Sequence, residues 1–196
     1  MTNTINASLF QEMIQAASTR LNNQAEYVNS LNVFPVPDGD TGTNMGMTIT
    51  NGAKAVSDNT GETVGQVAAI LSKGLLMGAR GNSGVILSQI FRGFGQAIKD
   101  EDVFTAENLA KAFQNGVEVA YKAVMKPKEG TMLTVSRMVS EAATAAQAGG
   151  ANVYKLIDTI LESGNAAVAI TPDLLQVLKD AGVVDSGGKG LMTIYR

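Results

Sequence analysis

Two carboxylates one residue apart are the first chemistry this sequence offers. Asp38 and Asp40 flank a single glycine within Leu31 to Met45, which reads LNVFPVPDGDTGTNM. Pro35 and Pro37 come just before them. Proline fixes φ and turns the residue ahead of it away from helix, so the segment reads as a stiff loop. Carboxylates held side by side repel unless a cation neutralises them, and hard cations such as Mg²⁺ choose carboxylate oxygens. Thr41, Thr43 and Asn44 put hydroxyl and amide groups next to that metal position. Thr43 or Asn44 is suited to cap the following helix, leaving free N–H groups where a phosphate binds. A surface turn with an Asx-type cap uses the same residue types, because Asp-Gly-Asp is also ordinary turn chemistry.

Two further loops bear on that choice. Gly78-Ala79-Arg80-Gly81-Asn82-Ser83-Gly84 and Val184-Asp185-Ser186-Gly187-Gly188-Lys189-Gly190 each precede an apolar helical pattern. Glycines at a helix start let backbone N–H groups approach an anion closely, although glycine also serves in helix C-caps and tight turns. Two such loops beside a pair of metal-binding acids are what a nucleotide triphosphate needs. Neither loop is a common nucleotide motif. A Walker A loop around Lys189 would need glycine where Val183 stands and Ser or Thr where Gly190 stands, and the Gly78, Gly81, Gly84 spacing is not the dinucleotide fingerprint. Arg80 has two readings: a cation that stabilises charge during phosphoryl transfer, or a surface residue capping a helix.

The elements that position these loops read as helices nearly throughout. Apolar residues recur at helical spacing from Leu9 to Leu21, then from near Thr43 to about Val56, Val64 to Leu75, Val85 to Ile98, and Leu109 to Val124. Further segments run from about Met132 to Ala148 and around Val153 to Leu161. Thr171-Pro172-Asp173 reads as the opening of a short helix with proline at its first position, and a last helix starts at about Gly187. No alternating apolar pattern persists, so no sheet of consequence is expected. The fold class is all-α, an antiparallel bundle or closed barrel of about eight helices, with the methionines as core filler. The chain is read as one domain, 1–196. Its last apolar run, Leu191 to Arg196, lacks a helix stop, so we expect it to be the N-terminal part of a longer protein.

Composition narrows the function. Hydrophobic residues make up 45% and charged residues 17%, the balance of a globular chain. A net charge of −3 without a basic run argues against nucleic acid. With no Cys there is no disulfide framework or thiolate nucleophile, which fits a cytoplasmic location. With no His, phosphohistidine intermediates and Ser-His triads are excluded. The N-terminus lacks a signal-peptide pattern, and no stretch is apolar for long enough to span a bilayer.

PVPDGDTGTNM, GARGNSGVILSQ, GTMLTVSR and DSGGKGL occur here in the order in which they occur in the nucleotide-binding domain of bacterial fatty acid kinase. The chain resembles that domain from Ile5 to Tyr195, and through it the nucleotide-binding L subunit of dihydroxyacetone kinase. That second branch usually has His where this chain has Thr41. The resemblance implies a closed bundle of about eight antiparallel helices with ATP or ADP and paired Mg²⁺ at one end. It makes Asp38 and Asp40 the metal-binding acids and gives Asn32 the place of a third, upstream acid. It assigns Thr41, Gly42, Thr43 and Asn44 to the phosphate-binding helix start, and Asn82, Ser83 and Gly84 to the second nucleotide loop. It also implies that Met132 lines the adenine pocket and that Asp185, Ser186 and Gly187 form the last nucleotide loop. The implied reaction transfers the γ-phosphoryl of ATP to a fatty acid carboxylate presented by a separate acyl-binding protein. A carboxylate acceptor with a pKa near 4.3 is already ionised and needs no general base, which suits a chain without His. A dihydroxyacetone-type phosphotransferase subunit and a non-catalytic nucleotide-binding module are the alternatives. A homodimer is compatible with the sequence.

Overall fold

The computed structural model describes residues 3–196. Its regular structure is ten helices: α1 (Ala7–Asn23), α2 (Ala25–Ser30), α3 (Thr41–Asp58), α4 (Val64–Gly78), α5 (Gly81–Ala97), α6 (Ala106–Ala123), α7 (Met132–Ala148), α8 (Val153–Leu174), α9 (Gln176–Ala181) and α10 (Ser186–Tyr195). Among the described residues the only β contact is an isolated bridge between Ile5 and Phe104. The all-α expectation holds, with two short helices beyond those the apolar spacing reveals. Six-residue α2 and α9 are too short to display a period.

Helices α3 to α8 pack side by side in sequence, and α10 and α1 complete the circuit back to α3. The links are short, so neighbours run antiparallel. This alternation sends the N-termini of α3, α5 and α7 to one end and those of α4 and α6 to the other, with α8 following α6. Five helices are closed by a side chain. Asn6 Oδ1 accepts from Leu9 N, Thr63 caps α4, Thr105 and Asn108 form a reciprocal capping box on α6, Asn152 caps α8, and Asp185 caps α10. Helices α3, α5 and α7 receive no hydrogen bond from their own N-cap side chains.

The ring interior is apolar. Phe10 meets Phe104 edge-on at 4.8 Å between ring centroids, and Phe94 meets Phe113 at 5.4 Å. A cavity of about 110 Å³ lies among these rings and Ile14, Leu71 and Ile160. That is less than the ~150 Å³ that admits benzene.

Helices α5 and α10 begin earlier than expected, taking Gly81–Gly84 and Ser186–Gly190 into their first turns, and two other boundaries differ for a local reason. Pro172 does not open a helix but lies inside α8. The carbonyl four residues earlier, Val168 O, loses its backbone donor there, and the buried hydroxyl of Thr171 donates to it at 2.7 Å. Helix α3 starts at Thr41, not near Thr43, and neither Thr43 nor Asn44 is its N-cap. Asn29 on α2 does the capping from outside: its Oδ1 accepts from Thr43 N at 3.0 Å, and its amide donates to Thr43 Oγ1 at 2.9 Å.

That cap depends on close contact between α2 and α3, where Gly42 is buried. A Cβ there would sit 2.1 Å from the Ala25 carbonyl oxygen. We expect Gly42→Ala to lower stability by about 1–3 kcal/mol, the usual cost of overpacking. Urea unfolding measures this, and an unchanged midpoint would show that α2 can shift freely.

Candidate functional site

The end of the ring where α3, α5 and α7 begin opens into a cavity of about 610 Å³. That lies within the ~300–1,000 Å³ of ligand pockets. Its lining brings together Asn32, Asp38, Asp40, Thr41, Asn44, Asn82, Ser83, Met132, Asp185 and Gly187, all singled out from the sequence. Four of the other five face elsewhere. Gly42 packs on α2, Thr43 bonds to Asn29, Gly84 packs against Thr48, and Ser186 is buried with its hydroxyl 3.1 Å from Thr41 Oγ1. Arg80 is exposed and does not line the cavity, and its backbone N–H donates to Thr48 Oγ1 at 3.1 Å.

The acidic loop is shaped by Asn32 and Gly39. Asn32 is 7% exposed. Its Oδ1 accepts from Asp40 N at 3.1 Å and its amide donates to Val36 O at 3.2 Å, which fastens both sides of the turn. Gly39 has φ +66°, a left-handed conformation that glycine adopts without steric cost. The chain therefore reverses between the two acids and leaves both carboxylates exposed on the cavity lining. Among the described residues, no three His, Cys, Asp or Glu side chains gather closely enough to hold a metal. A pair of carboxylates with an amide oxygen nonetheless suits Mg²⁺. That ion keeps several waters and takes one or two carboxylates plus phosphate oxygens. One lone pair of Asn32 Oδ1 remains beyond its bond to Asp40 N.

The helix starts around the cavity differ in what they offer an anion. Thr41 and Gly42 in α3, and Gly81, Asn82 and Ser83 in α5, are first-turn residues whose N–H groups have no partner within the helix. Each such terminus also carries about half a positive charge. The first N–H of α7, on Met132, favours the charged form of Asp185, and Gly188 N donates to the same carboxylate at 2.7 Å. Asp185 is thus an internal anion between the starts of α7 and α10. Burial pushes its carboxyl up from 3.8 to about 6, against the two backbone N–H groups that favour the charged form. Its own N–H donates to Thr171 Oγ1 at 3.0 Å.

Apolar side chains of Val85, Ile86, Val124, Met132 and Leu133 line the same cavity, a wall suited to a flat aromatic ring. Sequence reasoning missed Val36, Val124, Lys126 and Lys128 in this lining, as well as the role of Asn29. The available signal was the position of Lys126-Pro127-Lys128, a few residues ahead of Met132, which the resemblance gives a role in the site.

Comparison with known proteins follows this geometry. The profile of the DAK2 domain family matches residues 35–196. Two uncharacterized proteins of Staphylococcus aureus, one from a bovine strain and one from strain USA300, are 51% identical over 195 residues. These alignments cover 100% of this chain and 36% of each relative, so the chain spans about a third of their length. Among solved structures, the native dihydroxyacetone kinase of C. freundii superposes with a TM-score of 0.68 at 16% identity, over 97% of this chain and 34% of that one. The same kinase in complex with AMP-PNP and Mg²⁺ gives 0.71 at 17% identity, over 96% and 33%. At these identities the likeness is one of fold.

Asp185 gives the ligand-free protein a pH signature. Between about 4 and 6 the folded state binds more protons than the unfolded chain, so stability falls as pH rises through that window. The displacement corresponds to roughly 3 kcal/mol at most. Asp185→Asn keeps an oxygen acceptor for Gly188 N without the charge, and we expect it to flatten the slope. Urea denaturation across the window tests this, and an unaltered slope would assign the effect to another group.

Proposed function

Because this chain belongs to the DAK2 domain family, we propose that it binds Mg-ATP in the 610 Å³ cavity and acts as the nucleotide-binding domain, 1–196, of a kinase. The observation that carries the reading is the meeting of two open helix starts, α3 and α5, with the Asp38–Asp40 pair on one cavity lining. Free amides at a helix start bind phosphate oxygens, and paired acids hold the ion that accompanies them. A solved kinase of the same fold is in complex with AMP-PNP and Mg²⁺, which supports the same ligand class here.

In this reading Asp38 and Asp40 hold Mg²⁺, with the Asn32 amide oxygen beside them. When bound, the metal neutralises charge on the transferring phosphoryl group. Thr41 and Asn44 with the α3 amides, and Asn82 and Ser83 with the α5 amides, hold the phosphate chain in line with its acceptor. Met132 and its apolar neighbours receive the adenine. Gly42, Thr43, Gly84 and Ser186 support these helix starts from behind, and Gly187 lets Met132 pack against α10. Asp185 orients the α7 and α10 starts. To Arg80, exposed just before α5 and outside the lining, we assign stabilisation of charge during the transfer.

We further propose that the acceptor is a fatty acid carboxylate presented by a separate acyl-binding protein, giving an acyl phosphate. Two features support it: a chain without His suits an acceptor that needs no base, and the 110 Å³ interior cavity is too small for an acyl chain. The fold shared with dihydroxyacetone kinase favours a second reading, a phosphotransferase subunit with a hydroxyl acceptor.

Two measurements follow. Mg-ATP at 100 times its dissociation constant should stabilise the protein by about 2.7 kcal/mol in thermal melting. Asp38→Ala with Asp40→Ala should abolish that gain, and retention of tight Mg-ATP binding by the double variant would overturn the site. Phosphoryl transfer by this chain alone should be poor, and what transfer occurs should go to the fatty acid on its carrier and not to dihydroxyacetone; the reverse preference would establish the second reading.

A further inference from the structure

The cavity lining has carboxylates at Asp38, Asp40 and Asp185, and its only cationic side chains among the described residues are Lys126 and Lys128. This matters because a divalent ion held by two carboxylates brings no net positive charge. Two helix starts supply only about half a charge each. Neutralising a polyphosphate then falls to side-chain cations, and the one foreseen from the sequence, Arg80, lies outside the lining.

The segment between α6 and α7 is built to hold such cations. Pro127 fixes its own φ and drives Lys126 towards extended backbone. In extended chain, residues two apart point to the same side, and both lysines line the cavity. The segment is then tied down beyond Lys128. Thr131 Oγ1 donates to the Lys128 carbonyl at 2.7 Å, and Gly130 N donates to Thr134 Oγ1 at 2.9 Å. Glu129 accepts from the Thr134 hydroxyl and from Arg137 Nη2, the latter at 3.1 Å. The nearby acid Glu129 is thus occupied by Arg137, and neither lysine makes an ion pair among the described residues. Both are exposed, so folding does not depend on their charge.

We propose that Lys126 and Lys128 are the residues that read the phosphate chain, and that they set the preference for tri- and diphosphate over monophosphate nucleotides. This rests on the nucleotide reading above. Lysine suits the task as a compact charge with rotating donors on a long stem.

The test compares affinities for AMP, ADP and ATP, each with Mg²⁺, by calorimetry on the full chain. Wild type should bind more tightly as phosphates are added. Lys126→Ala with Lys128→Ala should weaken ATP binding roughly tenfold to a hundredfold, the scale of a hydrogen bond to a charged group. AMP binding should change little, so the ATP-to-AMP ratio collapses, and the ligand-free melting temperature should stay where it was. Lys126→Arg with Lys128→Arg should restore most of the ratio, and Lys99→Ala, at an exposed lysine outside the cavity lining, should leave it intact. An undiminished ratio in the double alanine variant, with wild type binding Mg-ATP, would overturn the role of the lysines alone. Failure of wild type to bind any of the three would overturn the nucleotide reading itself.

Discussion

Every helix starts with N–H groups that its own turn cannot satisfy, and the rest of this structure is organised by where those groups are sent. A ring of antiparallel neighbours separates helix starts into two sets. At one end Thr63 and Thr105 satisfy α4 and α6 with their own side chains, and Asn152 does so for α8. At the other end α3, α5 and α7 lack that closure, and the cavity forms among them. Stability is thereby secured at the capped end, and the uncapped end stays open to anions.

The open end is only partly open, and the distribution follows from charge. Asp185 is placed between the starts of α7 and α10, takes an amide of α10 at 2.7 Å and is favoured in its charged form by the first amide of α7. Asn29 reaches across from α2 and takes one amide of α3. What remains unserved belongs to the first residues of α3 and α5, next to the exposed Asp38 and Asp40. An internal carboxylate against two helix starts is a polar contact made at a desolvation cost, visible in the raised proton affinity of Asp185.

Much of the fold was legible because its helices are long and amphipathic. Met132 to Ala148 is predicted and observed over the same residues, and α4 begins at Val64 as its apolar spacing requires. The misreadings are instructive. Pro172 looks like a helix start from its own chemistry, and it was Thr171 that allowed α8 to run on by supplying the missing donor. Thr43 looks like a cap, but α3 has already begun at Thr41, and the Thr43 amide is taken by Asn29, fourteen residues earlier. Among the loop residues, Asp38, Asp40, Asn44, Asn82 and Ser83 do line one cavity, whereas Arg80 does not. Residue type identifies a group able to bind phosphate, but the direction in which the backbone points it is set by packing.

The amino-acid sequence by itself determined the helical class, the stiffness of the acidic loop and the kind of chemistry available. These follow from local spacing, from proline geometry, and from which side chains are present or missing. Only the tertiary structure decided which helix starts stay uncapped, which acid is buried between them, and which lysines share their cavity. Those outcomes depend on contacts between residues far apart in the chain, such as Ser186 with Thr41 and Arg80 with Thr48. No short-range pattern encodes such contacts, because they exist only once the ring has closed.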